Sequence, residues 1–99
     1  MGTVAAVDLG ATSGRVMLGT IDGGRVRTKL VTRFENRPLS TADGLYWDVH
    51  GVFAEVIAGL AAARRMVPDL SSVAVDSWAI DYGLLRDGQL IGNPHPQPL

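Results

Sequence analysis

The chain has 99 residues, of which 46% are hydrophobic, and this is enough for one small domain with a core. Nine basic and ten acidic residues give a formal net charge of −1, which provides no overall field to attract nucleic acid or an anionic membrane. The absence of cysteine excludes disulfides, thiolate metal ligands and cysteine nucleophiles.

The first third of the chain predicts three antiparallel strands. An apolar run over residues 3–8 is typical of a buried strand, and residues 15–21 continue as a second strand after a tight loop. Residues 22–24, an aspartate and two glycines, favour a hairpin because glycine accepts positive φ. Residues 25–34 alternate between apolar and mostly basic side chains, which indicates a third strand with a solvated basic face.

The middle of the chain predicts a loop, a helix and a returning strand. Residues 35–47 show no sustained period and are expected to form a loop. Asp48 can cap a helix that ends before Pro68. Its apolar stripe consists of Val49, Val52, Phe53, Val56, Ile57 and Leu60. Residues 72–77 are typical of a buried strand, and its position after the helix predicts a parallel crossover.

The last fifth of the chain predicts a second hairpin and an irregular end. Residues 80–91 alternate in hydropathy around an aspartate-glycine turn at 87–88, which favours the hairpin. Residues 92–99 contain three of the five prolines and are expected to lack regular structure. The two histidines, His50 and His95, are isolated from other side chains at metal-ligand spacing.

The loop between the first two strands, DLGATSGR at residues 8–15, has the composition of a phosphate-binding turn. Two glycines let the backbone approach a ligand, while Thr12, Ser13 and the amides supply donors. Asp8 ends a buried strand, where a carboxylate needs a cation or donors, and a hydrated metal ion is one natural partner. The loop lacks the lysine of a P-loop, so its spacing alone is equally compatible with a bare turn.

Several short motifs in the sequence resemble motifs of one enzyme family. DLGATSGR resembles the first phosphate motif of the sugar kinase, Hsp70 and actin superfamily, and within it the FGGY carbohydrate kinases. VAVDSWAIDYGLL, at residues 73–85, is similar to the GIDTWGVDFxLL segment of the rhamnulokinase branch. YWDV at 46–49 and GNPH at 92–95 also resemble motifs at the corresponding positions of that branch. The resemblance covers residues 4–95.

The resemblance implies an α/β fold of the ribonuclease H-like kind found in actin-like ATPases. The expected part is the N-terminal portion, a mixed sheet with three antiparallel first strands and one crossover helix. Residues 1–95 are then a partial N-terminal FGGY kinase domain. Residues 96–99 are an aberrant or truncated tail, because the family continues after His95 with a tyrosine, arginine and aspartate run.

The resemblance also implies transfer of the ATP γ-phosphate to L-rhamnulose, with Mg²⁺, to give L-rhamnulose 1-phosphate. Asp8 is expected to hold the metal through water. The residues expected to cradle the ATP phosphates are Ala11, Thr12, Ser13, Gly14 and Arg15. For Arg15, pairing with a neighbouring carboxylate is an equal alternative.

The sugar site is expected where the parallel strand ends. Trp78 is expected to give an apolar wall for the sugar, and Asp81 to accept hydrogen bonds from its hydroxyls. Ala79 replaces the glycine that lies against the ketose in this branch, so its methyl group would crowd that contact or shift the loop. The alternative is that Trp78 is a core residue and that the carboxylates of Asp76 and Asp81 cap a turn.

The catalytic base of the family is expected beyond Leu99, together with the adenine pocket and the second domain. The 99-residue chain alone is therefore expected to be inactive. Its expected ligands are a small sugar and ATP, and no nucleic-acid or membrane partner is expected. The expected location is the cytoplasm. The alternatives are a catalytically inert remnant, a phosphate- or partner-binding module, or another FGGY sugar kinase.

Overall fold

The computed structural model describes residues 2–96, which form one mixed four-stranded sheet, one helix and two small hairpins. The sheet contains β1 (Thr3–Leu9), β2 (Ser13–Asp22), β3 (Arg25–Glu35) and β6 (Ser72–Ser77). The helix is α1 (Val49–Met66). The hairpins are β4 (Leu39–Thr41) with β5 (Gly44–Tyr46), and β7 (Leu85–Arg86) with β8 (Gln89–Leu90).

The strand order in the main sheet is β3-β2-β1-β6. β1 pairs with β2, and β2 with β3, in antiparallel register, while β6 lies parallel to β1 on its other side. Val7 of β1 therefore lies between Val16 of β2 and Val75 of β6. The α/β class, the mixed sheet, the antiparallel first three strands and the single crossover helix predicted from the sequence are confirmed.

The core lies between α1 and one face of the sheet. Directly paired residues point to the same face, and the buried core residues are Ala5, Val7, Val16, Leu18 and Ala63. Gly59 allows close packing of the helix, since a Cβ at that position would lie 2.5 Å from Cγ2 of Val16 and 2.6 Å from Oγ1 of Thr32. Within residues 2–96, α1 packs on β1, β2 and β3.

The start of α1 follows the sequence prediction. The Asp48 side chain accepts a hydrogen bond from the Gly51 backbone N–H at 3.0 Å, and the Asp48 carbonyl accepts from Val52 N–H at 2.9 Å. The predicted helix cap is therefore confirmed, and it fixes where the chain leaves the β4–β5 hairpin and enters the helix.

Burial along β6 and α1 differs from the prediction. β6 forms at residues 72–77, yet it is exposed along its whole length, with Val73 48% and Val75 61% exposed. The predicted apolar stripe of α1 is also partly exposed, at Phe53 and Ile57. The reason is that the helix lies over β1, β2 and β3, which leaves both β6 and the helix side that faces it uncovered.

Two further segments differ from the sequence prediction. Residues 35–47, expected to be a loop, contain the β4–β5 hairpin, which closes at Gly44 with φ of 131°. The predicted hairpin at residues 80–91 is reduced to two-residue strands. Ile80 has φ of 74°, a left-handed conformation that interrupts a strand at a β-branched residue.

Residues 92–96 are irregular, as predicted, and the remainder of the predicted tail, residues 97–99, lies outside the described residues. Between residues 2 and 96, no helix combines the length and the apolar character needed to cross a membrane.

Candidate functional site

The glycine loop is a tight turn between β1 and β2. Gly10 N–H donates to the Ser13 carbonyl at 2.8 Å, and a Cβ at Gly10 would lie 2.9 Å from that oxygen. Ala11 and Thr12 at the tip are exposed, and Ser13 is half-buried. The loop therefore presents backbone and hydroxyl groups to solvent, as a site for an anionic ligand requires.

Asn36, at the end of β3, holds this loop in place. Its backbone N–H donates to the Thr12 carbonyl at 3.0 Å, and its Nδ2 donates to the Gly10 carbonyl at 3.1 Å. The residue is only 5% exposed, and within residues 2–96 its Oδ1 has no hydrogen-bond partner. The sequence-based prediction missed Asn36. The signal that was available is a single uncharged polar residue directly after an alternating strand.

Phe34 supports the same loop from β3. A Cβ at Gly14 would clash with Cζ of Phe34, so the second glycine of the loop is favoured by packing against this ring. Phe34 and Gly14 are also paired in the β2–β3 register. The shape of the loop is thus determined by contacts with the end of β3.

Asp8 and Arg15 form an ion pair across the base of the loop. Nη2 of Arg15 lies 2.7 Å from Oδ2 of Asp8, and the two side chains are about half exposed, at 50% and 47%. Asp8 was expected to be buried, but it points to the sheet face that α1 does not cover, because the buried Val7 points to the helix side. Arg15 therefore pairs with a neighbouring carboxylate, and its contact with phosphate stays a prediction.

The opposite face of the sheet carries a cavity of about 440 Å³ between α1 and β6. Its lining is mostly apolar and includes Leu9, Val52, Phe53, Val56 and Val75. Trp47, Trp78 and Asp81 also line this cavity. Its volume lies within the range of small-molecule sites, about 300–1,000 Å³.

One carboxylate oxygen joins the two tryptophans of this cavity. Nε1 of Trp47 donates to Oδ2 of Asp81 at 2.8 Å, and Nε1 of Trp78 donates to the same oxygen at 2.5 Å. The two indole rings are in contact, with centroids 4.8 Å apart and planes inclined by 48°. Trp47 is buried, whereas Trp78 and Asp81 are half-buried.

The structure separates the residues proposed for the sugar site. Trp78 and Asp81 lie together in the cavity, but Ala79 is not among the residues that line it. Asp76 pairs in register with Asp8, so it points to the other face of the sheet. Trp47 also lines the cavity, although the sequence-based prediction used it only as part of the motif YWDV and assigned it no role.

Magnesium prefers oxygen ligands, retains several waters and is commonly bound through one or two carboxylates together with substrate phosphates. Asp8 is a half-exposed carboxylate at the base of the glycine loop, so it fits such a water-mediated contact. Among residues 2–96, no group of three or more metal-ligating side chains is found.

The chain is similar in sequence to several curated rhamnulokinases. The enzyme of Bacteroides thetaiotaomicron is 35% identical over 91 residues, which cover 91% of this chain and 19% of that protein. The enzyme of Pectobacterium carotovorum is 39% identical over 97 residues, covering 93% and 19%. That of Bacillus subtilis is 35% identical over 83 residues, covering 83% and 17%. The chain spans about a fifth of the length of these relatives, and no protein-family model matches it.

Proposed function

We propose that this chain supplies two parts of an L-rhamnulose kinase. These parts are the loop for the ATP phosphates and one wall of the sugar site. The chain is similar to rhamnulokinases over about nine-tenths of its length, and this similarity confirms the resemblance found in its sequence motifs. The reaction transfers the γ-phosphate of ATP to L-rhamnulose and gives L-rhamnulose 1-phosphate. The proposal depends on one observation. The glycine loop after β1 is held by Asn36, and a cavity of small-molecule size lies between α1 and the neighbouring strand β6.

In this proposal the glycine loop binds the phosphates of ATP. The exposed tip offers the Ala11 and Thr12 amides and the Thr12 hydroxyl, and Ser13 and Gly14 complete the cradle. Arg15 adds a positive charge beside the loop, already oriented by Asp8. Phosphoryl transfer requires mainly positioning and charge neutralisation, and these groups supply both.

Asp8 is the proposed residue for Mg²⁺, through a bound water. When bound, the metal neutralises charge on the phosphates. The half-exposed carboxylate keeps the access to water that such a contact needs.

The sugar is proposed to bind in the cavity between α1 and β6. Trp78 supplies an apolar surface, and Asp81 orients the sugar through its hydroxyls. Ala79 lies in the same loop but does not line the cavity, so any effect of its methyl group on the sugar would act through the position of the loop.

The catalytic base in this proposal comes from outside residues 1–99. The 99-residue chain alone is therefore expected to form no ADP from ATP and L-rhamnulose. The proposed ligands are the sugar and ATP, without a nucleic-acid partner, and the proposed location is the cytoplasm.

A chimeric enzyme tests this function. Residues 2–95 replace the matching segment of the Bacteroides thetaiotaomicron rhamnulokinase, and ADP formation with L-rhamnulose is measured. We expect an active enzyme in which Asp8→Asn lowers kcat about tenfold or more, since each 1.4 kcal/mol of lost transition-state stabilisation is tenfold in rate. Asp22→Asn, at the exposed end of β2, is the matched control and should leave kcat unchanged.

A folded chimera that binds neither MgATP nor L-rhamnulose would contradict the proposal and favour an inert remnant or a partner-binding module. Phosphorylation of a different ketose in preference to L-rhamnulose would indicate another sugar kinase of the FGGY family.

A further inference from the structure

The chain contains two tryptophans, and both donate to the same oxygen of Asp81. Trp78 lies three residues from Asp81 in the loop after β6, whereas Trp47 lies 34 residues away, directly before α1. A hydrogen bond to a carboxylate is charge-assisted, and it is stronger than one between neutral groups. The two donors therefore fix the carboxylate from two different segments of the fold.

We propose that Trp47 is a positioning residue of the sugar site, which holds the Asp81 carboxylate with its indole N–H and supports the Trp78 ring with its own ring. This inference rests on the proposed function, because Asp81 and Trp78 are the groups proposed to meet the sugar. Trp47 acts through these two residues.

The hydrogen bond from Trp78 connects Asp81 to a residue of its own loop. That loop contains Ile80 in a left-handed conformation and follows β6, an exposed edge strand, so the sheet itself restrains it weakly. Trp47 connects the carboxylate to the start of α1, a second and better-supported part of the fold.

Trp47 is well anchored for this role. It is only 8% exposed, and its backbone N–H donates to the Pro94 carbonyl at 2.7 Å. The next residue, Asp48, caps α1 through Gly51 N–H. Val49 N–H donates to Oδ1 of Asn93 at 3.3 Å, which ties the same segment to the irregular tail a second time. The backbone is therefore held at Trp47 itself and at the two residues that follow it.

Positioning and simple packing predict different results for phenylalanine at this position. Packing uses the ring, which phenylalanine largely retains, whereas positioning uses the indole N–H, which phenylalanine lacks. The Trp47→Phe variant separates the two roles. Asp81→Asn approaches the same contact from the acceptor side and leaves both indoles in place.

The test uses the 99-residue chain labelled with ¹⁵N, in which two tryptophans give two indole N–H resonances. We expect Asp81→Asn to shift both resonances, and Trp47→Phe to shift the remaining Trp78 resonance. Asp87→Asn, a matched carboxylate-to-amide change in the β7–β8 turn, should move neither. In the chimeric enzyme, Trp47→Phe should weaken L-rhamnulose binding about tenfold, because misplaced positioning groups cost roughly this factor or more.

Two results would overturn the inference. One is a Trp47 resonance that does not respond to Asp81→Asn, and the other is a Trp47→Phe chimera that binds L-rhamnulose as tightly as the unsubstituted chimera. Failure of the proposed function looks different: the unsubstituted chimera would not bind L-rhamnulose, although both resonances of the 99-residue chain respond to Asp81→Asn. That result would remove the sugar site itself, and with it the purpose assigned to Trp47.

Discussion

At Asn36, two hydrogen bonds connect the end of β3 to the glycine loop, one from the backbone to Thr12 and one from the side chain to Gly10. The loop tip is otherwise exposed, so its conformation depends on these contacts and on Phe34 beneath Gly14. A buried amide that donates to a backbone carbonyl is expensive to remove, because the carbonyl then loses its partner.

Replacing Asn36 with alanine should lower both stability and nucleotide affinity. We expect the free energy of unfolding in urea to fall by about 0.5–1.5 kcal/mol, the usual net contribution of one hydrogen bond, because the Gly10 carbonyl is only part-buried. MgATP binding, measured by calorimetry, should weaken as well. Asn93→Ala is the control, because Asn93 bonds to Val49 and not to the loop. Equal MgATP affinities in the two variants would show that Asn36 does not shape the loop.

Arg15 should matter more for nucleotide binding than for stability. The Asp8–Arg15 pair is half exposed, and exposed ion pairs contribute at most about 1 kcal/mol. Arg15→Gln should therefore leave the urea midpoint nearly unchanged while it weakens MgATP binding. Arg33→Gln, at the β3 position paired with Arg15, is the control for a general loss of positive charge. An unchanged MgATP affinity in Arg15→Gln would assign the guanidinium to Asp8 alone.

Among the elements, α1 is positioned by its small residues. Gly59 and Ala63 are the buried residues of the helix, and they let its backbone lie close to β2 and β3. The larger residues Phe53 and Ile57 are exposed, and Phe53 lines the cavity beside β6. With these two small residues at the contact, α1 packs on β1, β2 and β3 and leaves β6 uncovered.

Replacing Gly59 with alanine should destabilise the chain although alanine favours helix. The gain in helix propensity is about 1 kcal/mol. The added Cβ would lie 2.5 Å from Val16 and 2.6 Å from Thr32, and overpacking of this kind costs about 1–3 kcal/mol. The urea midpoint should therefore fall. Ala58→Gly, the reverse change at the adjacent exposed position, reports helix propensity alone. A stabilised Gly59→Ala chain would show that the helix can move away from the sheet.

The whole molecule has a large surface for its size. The accessible surface is 7089 Å², whereas the scaling for compact monomers of 10.5 kDa gives about 5,400 Å². The extents of 52 × 30 × 20 Å describe an elongated body. Exposed apolar side chains occur in several elements, among them Val73 and Val75 of β6 and Phe53 of α1. The isolated chain is therefore expected to be marginally stable.

The exposed apolar surface predicts dye binding that substitution can remove without loss of stability. Phe53→Gln combined with Val75→Thr should lower fluorescence of a hydrophobic dye and change the free energy of unfolding by only about 0.5 kcal/mol. Val7→Thr is the matched control, because Val7 pairs with Val75 in register but is buried. It should destabilise by about 1–3 kcal/mol, the usual effect of an unpaired buried hydroxyl. Equal destabilisation by both changes would show that β6 is covered in solution.

The features that sequence predicts here are those set by neighbouring residues. The hairpin at 22–24, the Asp48 cap and the tight loop at 8–15 depend on short-range geometry, and each forms where its residues indicated. The burial of β6 could not be predicted, because its apolar residues show only that it can be buried and not which element covers it. The contact from Trp47 to Asp81 spans 34 residues, and no local period encodes such a contact.

The Asp8–Arg15 pair and the tryptophan-lined cavity lie on opposite faces of one sheet, with β1 contributing to both. Asp8 and Leu9 are neighbours in sequence, yet one belongs to the proposed nucleotide side and the other to the proposed sugar side. In the proposed function, substitutions around the cavity would change the choice of sugar while the glycine loop and its supports stay as they are. Because separate side chains line the two faces of the sheet, the nucleotide side and the sugar side of the proposed site can diverge independently in sequence.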